Sequence, residues 1–289
     1  MRTLEIPDVN LRDLEKTIYY INDEPPKRVK NTIVSPHYNN ILDRYQTYNI
    51  HKNRLENIPI SVYTKENNEV LYDNLFNLYD SKESLKTNIR NNSGVICPYC
   101  GIAEDPFHVD HFLPRSKFPE FSIYNNNLIA ACASCNSRYK GSDFVVGGVR
   151  QFFNPYFDQF LDSIQFLNCS LTVLDKYLLV EFFIDDSIQS DHPYEYQIIK
   201  NHFENLNLES RYNNLIIKEV FRKFKDEYID PITKQFDDIE LKDIKKDIQK
   251  KLRGFHTSNN NHWEKVFWNK LVECDNCLNL IVNKIIPFD

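Results

Sequence analysis

Two Cys-x-x-Cys pairs, separated by 31 residues, constrain the fold of this 289-residue chain more than any other feature of its sequence. Two intervening residues let both thiolates of a pair bind one ion, and two such pairs complete a tetrahedral four-sulfur zinc site. The sequence therefore predicts a structural zinc ion held by Cys97, Cys100, Cys132 and Cys135. The alternative is two independent pairs of buried thiols, but the matched spacing favours zinc.

The remaining cysteines do not extend this pattern. The chain has seven cysteines, an odd number that fits a disulfide framework poorly. Cys274 and Cys277 fall in an apolar stretch, KLVECDNCLNLIV, which predicts two core thiols one turn apart on a helix. Cys169 is also expected in the core.

Composition and charge limit the class of partner. No stretch approaches the roughly 20 apolar residues that a membrane-spanning helix needs, and residues 1–16 have no apolar core of a secretory signal. We therefore expect a cytoplasmic protein with no membrane partner. The formal net charge of -6 neither supports nor excludes a nucleic-acid partner, because phosphates are bound by local groups of basic residues.

Apolar residues at helical spacing run through much of the chain on both sides of the cysteine pairs. This spacing predicts helices over residues 38–57, 69–89, 194–206, 209–228 and 262–285. Two apolar, β-prone segments, 163–167 and 178–184, predict a small hairpin. The predicted fold class is α+β and mainly helical.

The character of the sequence changes twice, which predicts three regions. Residues 1–93 form an N-terminal helical region, and residues 151–289 form a mostly helical region with a small β element. Between them, residues 94–150 combine short apolar runs, turn residues and the four clustered cysteines. This middle segment is predicted to be a compact module.

Chemically versatile side chains lie between and beside the two cysteine pairs. They occupy HVDHFLPRSK at 108–117, NNNLIA at 125–130 and CNSRYK at 135–140. Hydrolysis of a phosphodiester needs a base to activate water and a divalent ion to stabilise charge on the phosphate. Asp and Asn oxygens suit Mg²⁺ or Mn²⁺, and an imidazole suits a base that works near neutral pH.

These motifs together resemble the HNH, or His-metal finger, endonucleases over about residues 95–145. The resemblance implies a ββα-metal module, a β-hairpin followed by a helix around one catalytic Mg²⁺ or Mn²⁺ ion. Position by position, it implies that His111 is the general base and that Asp110 and Asn136 are the metal ligands. Asn127 corresponds to the middle Asn, which braces the hairpin, and Asn136 replaces the final His of the family name.

Each of these assignments has an alternative. Asp110 and His111 are adjacent, and neighbouring residues of a strand face opposite sides, so they share a site only where the strand bends or ends. His111 taken alone is also compatible with a core histidine bonded to a backbone carbonyl. His108 is a candidate for the second shell of the metal or for a phosphate contact, and a structural role accounts for it equally well.

Basic and hydroxyl side chains near the motifs are candidates for phosphate contacts. They are Arg115, Ser116, Lys117, Arg138 and Lys140. A solvated basic face is the alternative. Over residues 95–150, five basic residues are balanced by five acidic ones, so the module by itself is expected to bind nucleic acid weakly. The lysine-rich stretch 241–253 contains Asp243 and Asp247, which favours a solvated helix face.

The sequence therefore favours a metal-dependent endonuclease that acts on DNA. A non-catalytic, zinc-braced module that binds nucleic acid or protein is the alternative. The segment 154–156 and the pattern from Leu206 to Arg211 weakly resemble HNH subunits of bacterial anti-phage systems. That resemblance implies an ATPase partner subunit, because the chain has no P-loop glycine pattern of its own.

Overall fold

The computed structural model describes residues 1–6, 18, 20–22, 29–103, 108–175, 177–221, 224, 226–228, 240–255 and 260–283. The chain folds into two compact units. The first unit contains residues 1 and 3–159, and the second contains residues 2 and 160–289. The mainly helical α+β fold predicted from the sequence is confirmed.

Among its described residues, the first unit has three α-helices and several short two-stranded sheets. Its elements are β1 (Tyr20–Asn22), β2 (Val29–Lys30), α1 (Tyr38–Ile50), α2 (Glu69–Leu78), α3 (Glu83–Ser93), β3 (His108–His111), β4 (Leu128–Ala131), a π-helical segment (Ser134–Lys140), β5 (Val145–Val146) and β6 (Val149–Arg150). The helix predicted over 38–57 ends earlier, at Ile50, and the one predicted over 69–89 is divided in two. A 3₁₀ turn at Tyr79–Ser81 causes this division.

Local sequence explains where α2 begins and which face it buries. The Asn68 side chain accepts a hydrogen bond from the Leu71 backbone N–H at 3.0 Å, which is the preferred way to cap a helix N-terminus. Leu71, Leu75 and Leu78 follow at helical spacing and are buried. The helix therefore presents one apolar face to the unit's core.

Helix α1 supports the segment that connects β3 to β4. The Tyr45 and Tyr124 rings stack with centroids 4.2 Å apart, and the Tyr48 hydroxyl donates to the Asn126 carbonyl at 3.0 Å. Aromatic pairs of this kind add to the free energy gained by burial. The connection is therefore fixed from outside the hairpin.

Strand β3 of the β3–β4 hairpin carries two of the predicted catalytic residues, Asp110 and His111. The strands are antiparallel, with His108 opposite Ala131 and His111 opposite Leu128. All four residues of β4 are buried. The π-helical segment Ser134–Lys140 follows and contacts β3. This order of two strands and a helix agrees with the ββα arrangement that the resemblance implied.

The second unit packs helices against one longer hairpin. Its elements are α4 (Phe160–Ser163), β7 (Leu167–Leu174), β8 (Tyr177–Ile184), α5 (Pro193–Asn205), α6 (Leu208–Leu215), a π-helical segment (Ile216–Phe221), α7 (Leu241–Arg253), α8 (Trp263–Glu273) and α9 (Asp275–Val282). Strand β8 alternates between exposed and buried residues, and α6 and α8 pack against the hairpin. Within the described part of the chain, no helix is long and apolar enough to cross a membrane.

Three expectations for this unit need correction or limitation. The first predicted strand, 163–167, is displaced, because Phe160–Ser163 is helical and the strand begins only at Leu167. Cys274 and Cys277 do not lie on one helix as free thiols, because α8 ends at Glu273 and the two cysteines form a disulfide. The end of the helix predicted to reach residue 285 lies outside the described residues.

Candidate metal centre and nuclease site

Four buried cysteines form a cluster suited to zinc. The sulfur atoms of Cys97, Cys100, Cys132 and Cys135 all lie within 4.8 Å of one another. A tetrahedral site with Zn–S bonds of about 2.3 Å places its sulfurs about 3.8 Å apart, and the Cys100 and Cys132 sulfurs are 3.9 Å apart. Among the described residues, this is the one group of three or more His, Cys, Asp or Glu side chains close enough to share an ion.

The four cysteines of the cluster differ in how readily they become thiolates. Backbone N–H groups donate to sulfur, from Cys132 to the Cys97 Sγ and from Cys135 to the Cys132 Sγ, each at 3.4 Å. Hydrogen bonds from neighbouring thiols lower the pKa of Cys132 to about 6 and hold the pKa of Cys97 well below its usual range. Hydrogen bonds with the same neighbours raise the pKa of Cys100 and Cys135 well above their usual range. The cluster therefore holds both thiolates and thiols, and a bound dication would displace the remaining protons.

Asp110 lies in β3 with its carboxylate buried and bound by two side chains. The Tyr99 hydroxyl donates to Oδ2 at 2.6 Å, and the Lys140 Nζ lies 3.1 Å from the same oxygen. Burial raises the pKa of Tyr99 well above its usual range, so the phenol keeps the proton that it donates. The Lys140 Nζ also lies 3.2 Å from Oδ1, so both oxygens of the carboxylate have a donor.

Lys140 connects the end of the π-helical segment to the end of β3. Its side chain is almost fully buried. Besides Asp110, its ammonium donates to the carbonyl oxygens of His111 and Phe112, at 3.2 and 3.1 Å. The three protons of the ammonium therefore have protein acceptors, and Lys140 does not extend from the surface as a phosphate-binding residue would.

His111 is the last residue of β3 and is half-buried. Its Nε2 lies 2.9 Å from the Ser122 carbonyl oxygen, and its ring meets the edge of the Tyr79 ring at a centroid distance of 4.8 Å. The carbonyl can only accept a hydrogen bond, so this contact assigns the proton to Nε2 and the lone pair to Nδ1. This is the contact expected of a core histidine, and it also orients a base.

The charge state of His111 follows from its surroundings. Burial lowers its pKa to about 3, and the positive charges of Arg115 and Lys140 act in the same direction. The Ser122 carbonyl opposes them only in part. The imidazole is therefore neutral at neutral pH, and its low pKa makes its free nitrogen a weaker proton acceptor than that of an ordinary histidine.

Asn127 holds the two ends of the connection together. Its Oδ1 accepts from the Leu113 backbone N–H at 2.8 Å, and its Nδ2 donates to the carbonyls of Leu113 and Phe121 at 3.1 and 3.3 Å. The side chain is fully buried. These contacts fix the chain at Leu113, two residues after His111, and at Phe121, the residue before Ser122.

His108 and Asn136 meet at the surface of the hairpin. The Asn136 Nδ2 lies 3.3 Å from the His108 Nδ1, and the Ser137 hydroxyl lies 3.5 Å from the same nitrogen. His108 and Asp110 are two residues apart in β3, so they face the same side of the strand. His111 faces the opposite side. No hydrogen bond joins Asp110 to His111 or to Asn136 within the described residues.

The other predicted phosphate ligands differ in how free they are. The Arg115 guanidinium lies 4.0 Å from the Phe76 ring centre and 3.6 Å from Asp80. Lys117 pairs with Asp143 at 3.8 Å. Ser116 and Arg138 are exposed. Only these two of the five predicted residues present an unpaired polar group to solvent among the described residues.

Three contacts at this site involve groups that the sequence analysis did not single out. They are the Tyr99 hydroxyl on Asp110, the Ser122 carbonyl on His111 and the Tyr79 ring against His111. Tyr99 lies inside the first Cys-x-x-Cys pair, but nothing about a tyrosine there indicates a carboxylate partner. A backbone carbonyl leaves no signal in the identity of its residue.

Comparison with known proteins assigns the segment. Residues 97–141 match the family model described as HNH endonuclease. This segment is an HNH domain. It contains all four clustered cysteines, the β3–β4 hairpin and the π-helical segment. Members of this family differ in whether they are catalytic, so the match by itself does not establish cleavage.

A comparison with curated proteins gives a partial match. Protein ea31 of Escherichia phage lambda is 32% identical over 147 residues, which cover 45% of this chain and 49% of that protein. The chain therefore spans about half the length of the relative that it matches. No solved structure matches the chain.

Proposed function

We propose that the HNH domain hydrolyses phosphodiester bonds in DNA with the help of Mg²⁺ or Mn²⁺. Asp110 and Asn136 would hold the ion, His111 would act as the general base, and zinc on the four cysteines would stabilise the fold. When bound, the ion supplies positive charge that stabilises the phosphate and the leaving oxygen. The proposal rests on the match of residues 97–141 together with the arrangement of their polar groups.

The contact between His108 and Asn136 is the observation that carries the proposal. It places the amide of Asn136 against β3, on the strand face that also bears Asp110. An amide oxygen and a carboxylate are the donors that a hard cation prefers.

The surroundings of His111 support its role as a base. The Ser122 carbonyl binds Nε2, and Asn127 fixes the chain that carries this carbonyl. The lone pair on Nδ1 has no hydrogen-bond partner among the residues that the structure describes.

The test is cleavage of supercoiled plasmid DNA by the full chain with Mg²⁺ or Mn²⁺. We expect His111→Ala to slow cleavage by at least about 100-fold without loss of zinc, and His51→Ala, a control outside the domain, to cut like the parent. A His111→Ala protein that cuts at the parental rate would show that the base is another group. Asp110→Asn should lower the affinity for Mn²⁺, measured by calorimetry.

One observation favours a second candidate, a zinc-braced module that binds nucleic acid or protein without cutting it. The carboxylate of Asp110 is already bound by Tyr99 and Lys140, as in a purely structural site. This candidate predicts bound zinc, no binding of Mn²⁺ and no cleavage under any of these conditions.

The anti-phage resemblance adds a proposal about regulation. In this proposal the isolated chain does not cleave DNA and becomes active only with an ATPase partner subunit. Addition of a genomically neighbouring ATPase to the cleavage assay tests this. Activity that appears only in the mixture supports the partner, and equal activity with and without the ATPase contradicts it.

A further inference from the structure

Helix α7, in the second unit, carries an unusual charge. Its sequence, LKDIKKDIQKKLR, contains six basic residues and two acidic ones, a net charge of +4 in a chain whose net charge is -6. The sequence alone suggested a solvated helix face because acidic residues interrupt the lysines. The structure gives the placement of these charges around the helix.

The apolar face of α7 is already covered. Ile244 and Ile248 are fully buried, and the helix packs against α8 and α9. Successive residues are rotated by about 100° around a helix. Lys246, Lys250 and Arg253 therefore lie on the side opposite these isoleucines, and all three are exposed. We refer to these three residues as the α7 basic face.

The basic face differs from the rest of the helix in its pairing. The flanking lysines form ion pairs: Lys242 with Glu240, Lys245 with Asp275, and Lys251 with Glu227. Lys246, Lys250 and Arg253 have no acidic partner among the described residues. The acidic residues around α7 thus pair with the lysines at its margins. Within the helix, Asp243 is exposed one turn before Lys246, so this side of α7 carries three cations and one carboxylate.

Among the described residues of the HNH domain there is no comparable group of unpaired, exposed cations. Residues 97–141 contain four basic and four acidic residues. Of the basic ones, Lys140 is buried, and Arg115 and Lys117 lie beside aspartates. Affinity for nucleic acid depends largely on cations that contact phosphates. A nuclease built on this domain therefore needs further cations to hold its substrate.

We propose that the α7 basic face docks on the phosphate backbone of duplex DNA and supplies part of the affinity for the substrate. This inference rests on the proposed function, for which it names a substrate contact. From Lys246 to Arg253 the helix rises about 10 Å, which corresponds to about three phosphates of one strand at 3.4 Å of duplex axis each.

Two features favour a duplex over other anionic partners. Proteins that bind single strands stack bases on aromatic side chains, and α7 has no aromatic residue. An amphipathic helix that binds a membrane inserts its apolar face into the lipid, but the isoleucines of α7 are buried within the unit. Phosphates on a rigid duplex fit the remaining row of cations.

The test measures how salt affects binding of the full chain to a fluorescent DNA duplex, without divalent ions. The variant that removes the α7 basic face combines Lys246→Gln, Lys250→Gln and Arg253→Gln, and we call it the stripe variant. The control variant combines Lys52→Gln, Lys218→Gln and Lys270→Gln, which removes the same charge from scattered, exposed positions. Each lost phosphate contact lowers the slope of log K against log salt by about 0.9.

We expect the plot of log K against log salt to become less steep by about 2.7 for the stripe variant. Its Kd should rise at least tenfold near 0.1 M salt, whereas the control variant should stay close to the parent. Equal slopes for the two variants would overturn the proposal, as would a stripe variant that lost binding to phosphatidylserine vesicles but kept its DNA isotherm.

The two proposals fail separately. If the stripe variant binds DNA more weakly but the parent chain never cuts DNA, the docking surface is supported and the nuclease proposal is refuted. If the parent chain cleaves DNA but the stripe variant keeps the parental slope of log K against log salt, only the docking surface is refuted. Circular dichroism of the stripe variant checks that α7 is still folded.

Discussion

Replacement of Lys140 by methionine tests whether the buried ion pair with Asp110 organises the HNH domain. Both side chains are nearly inaccessible, and the ammonium also binds two backbone carbonyls at the end of β3. Methionine preserves most of the volume but leaves the Tyr99 hydroxyl as the remaining hydrogen-bond donor to the Asp110 carboxylate among the described residues. Removing one partner of a buried pair typically costs about 3–5 kcal/mol of unfolding free energy.

Zinc release during urea unfolding follows the HNH domain specifically, because a chelating dye detects the metal as the cysteine cluster opens. With an m-value of about 2 kcal/mol per molar urea, Lys140→Met should lower the release midpoint by about 2 M. The two tryptophans, Trp263 and Trp268, both lie in the second unit. Their fluorescence midpoint should not move.

Lys117→Met is the matched control. Its ammonium pairs with Asp143 at 3.8 Å, and the two side chains are 39% and 82% exposed, so the loss should stay below about 1 kcal/mol. Combining Lys140→Met with Asp110→Asn should restore part of the stability, with a coupling of about 1–3 kcal/mol. If Lys140→Met and Lys117→Met shared one midpoint, our account of the buried pair would be refuted.

Two further predictions concern the cysteine cluster and a buried histidine. Cys132→Ser should release zinc from the purified chain, measured by metal analysis, whereas Cys169→Ser should retain it; equal zinc contents would exclude the cluster as the binding site. Burial lowers the pKa of His262 to about 4, below the value near 6.5 of an unfolded chain. The unfolded state therefore binds the proton first as pH falls, and between about pH 7 and 5.5 the second unit should lose roughly 1 kcal/mol that His262→Gln does not lose. Urea unfolding followed by tryptophan fluorescence measures this difference, and parallel losses would contradict it.

The sequence predicted best those features that the chemistry of single residues imposes. A structural zinc ion takes four ligands, and two Cys-x-x-Cys pairs supply them. The spacing of the four cysteines was therefore enough to predict that they share one site, and their sulfur atoms do cluster. Helices with a clear apolar face, such as α2, were also predicted, with errors at their ends. Cys169 was expected in the core and is buried there as a free thiol.

Features that depend on tertiary packing could not be predicted. Lys140 was grouped with phosphate ligands on the basis of its charge, but its ammonium is buried on a carboxylate 30 positions earlier in the chain. The break at Cys274 was missed because the apolar spacing continues across it. The partner of His111 is a backbone carbonyl, and only the folded connection brings it within 2.9 Å.

With zinc bound, the cysteine cluster would join the two ends of the segment that carries the hairpin and close this segment into a ring. Isolated hairpins with strands as short as β3 and β4 are at best marginally stable in water, whereas a cross-link around about 35 residues removes roughly 4 kcal/mol of chain entropy from the unfolded state. Doubling the length of such a ring costs only about 0.6 kcal/mol. Relatives should therefore tolerate insertions between the two cysteine pairs far better than any change in the spacing within a pair.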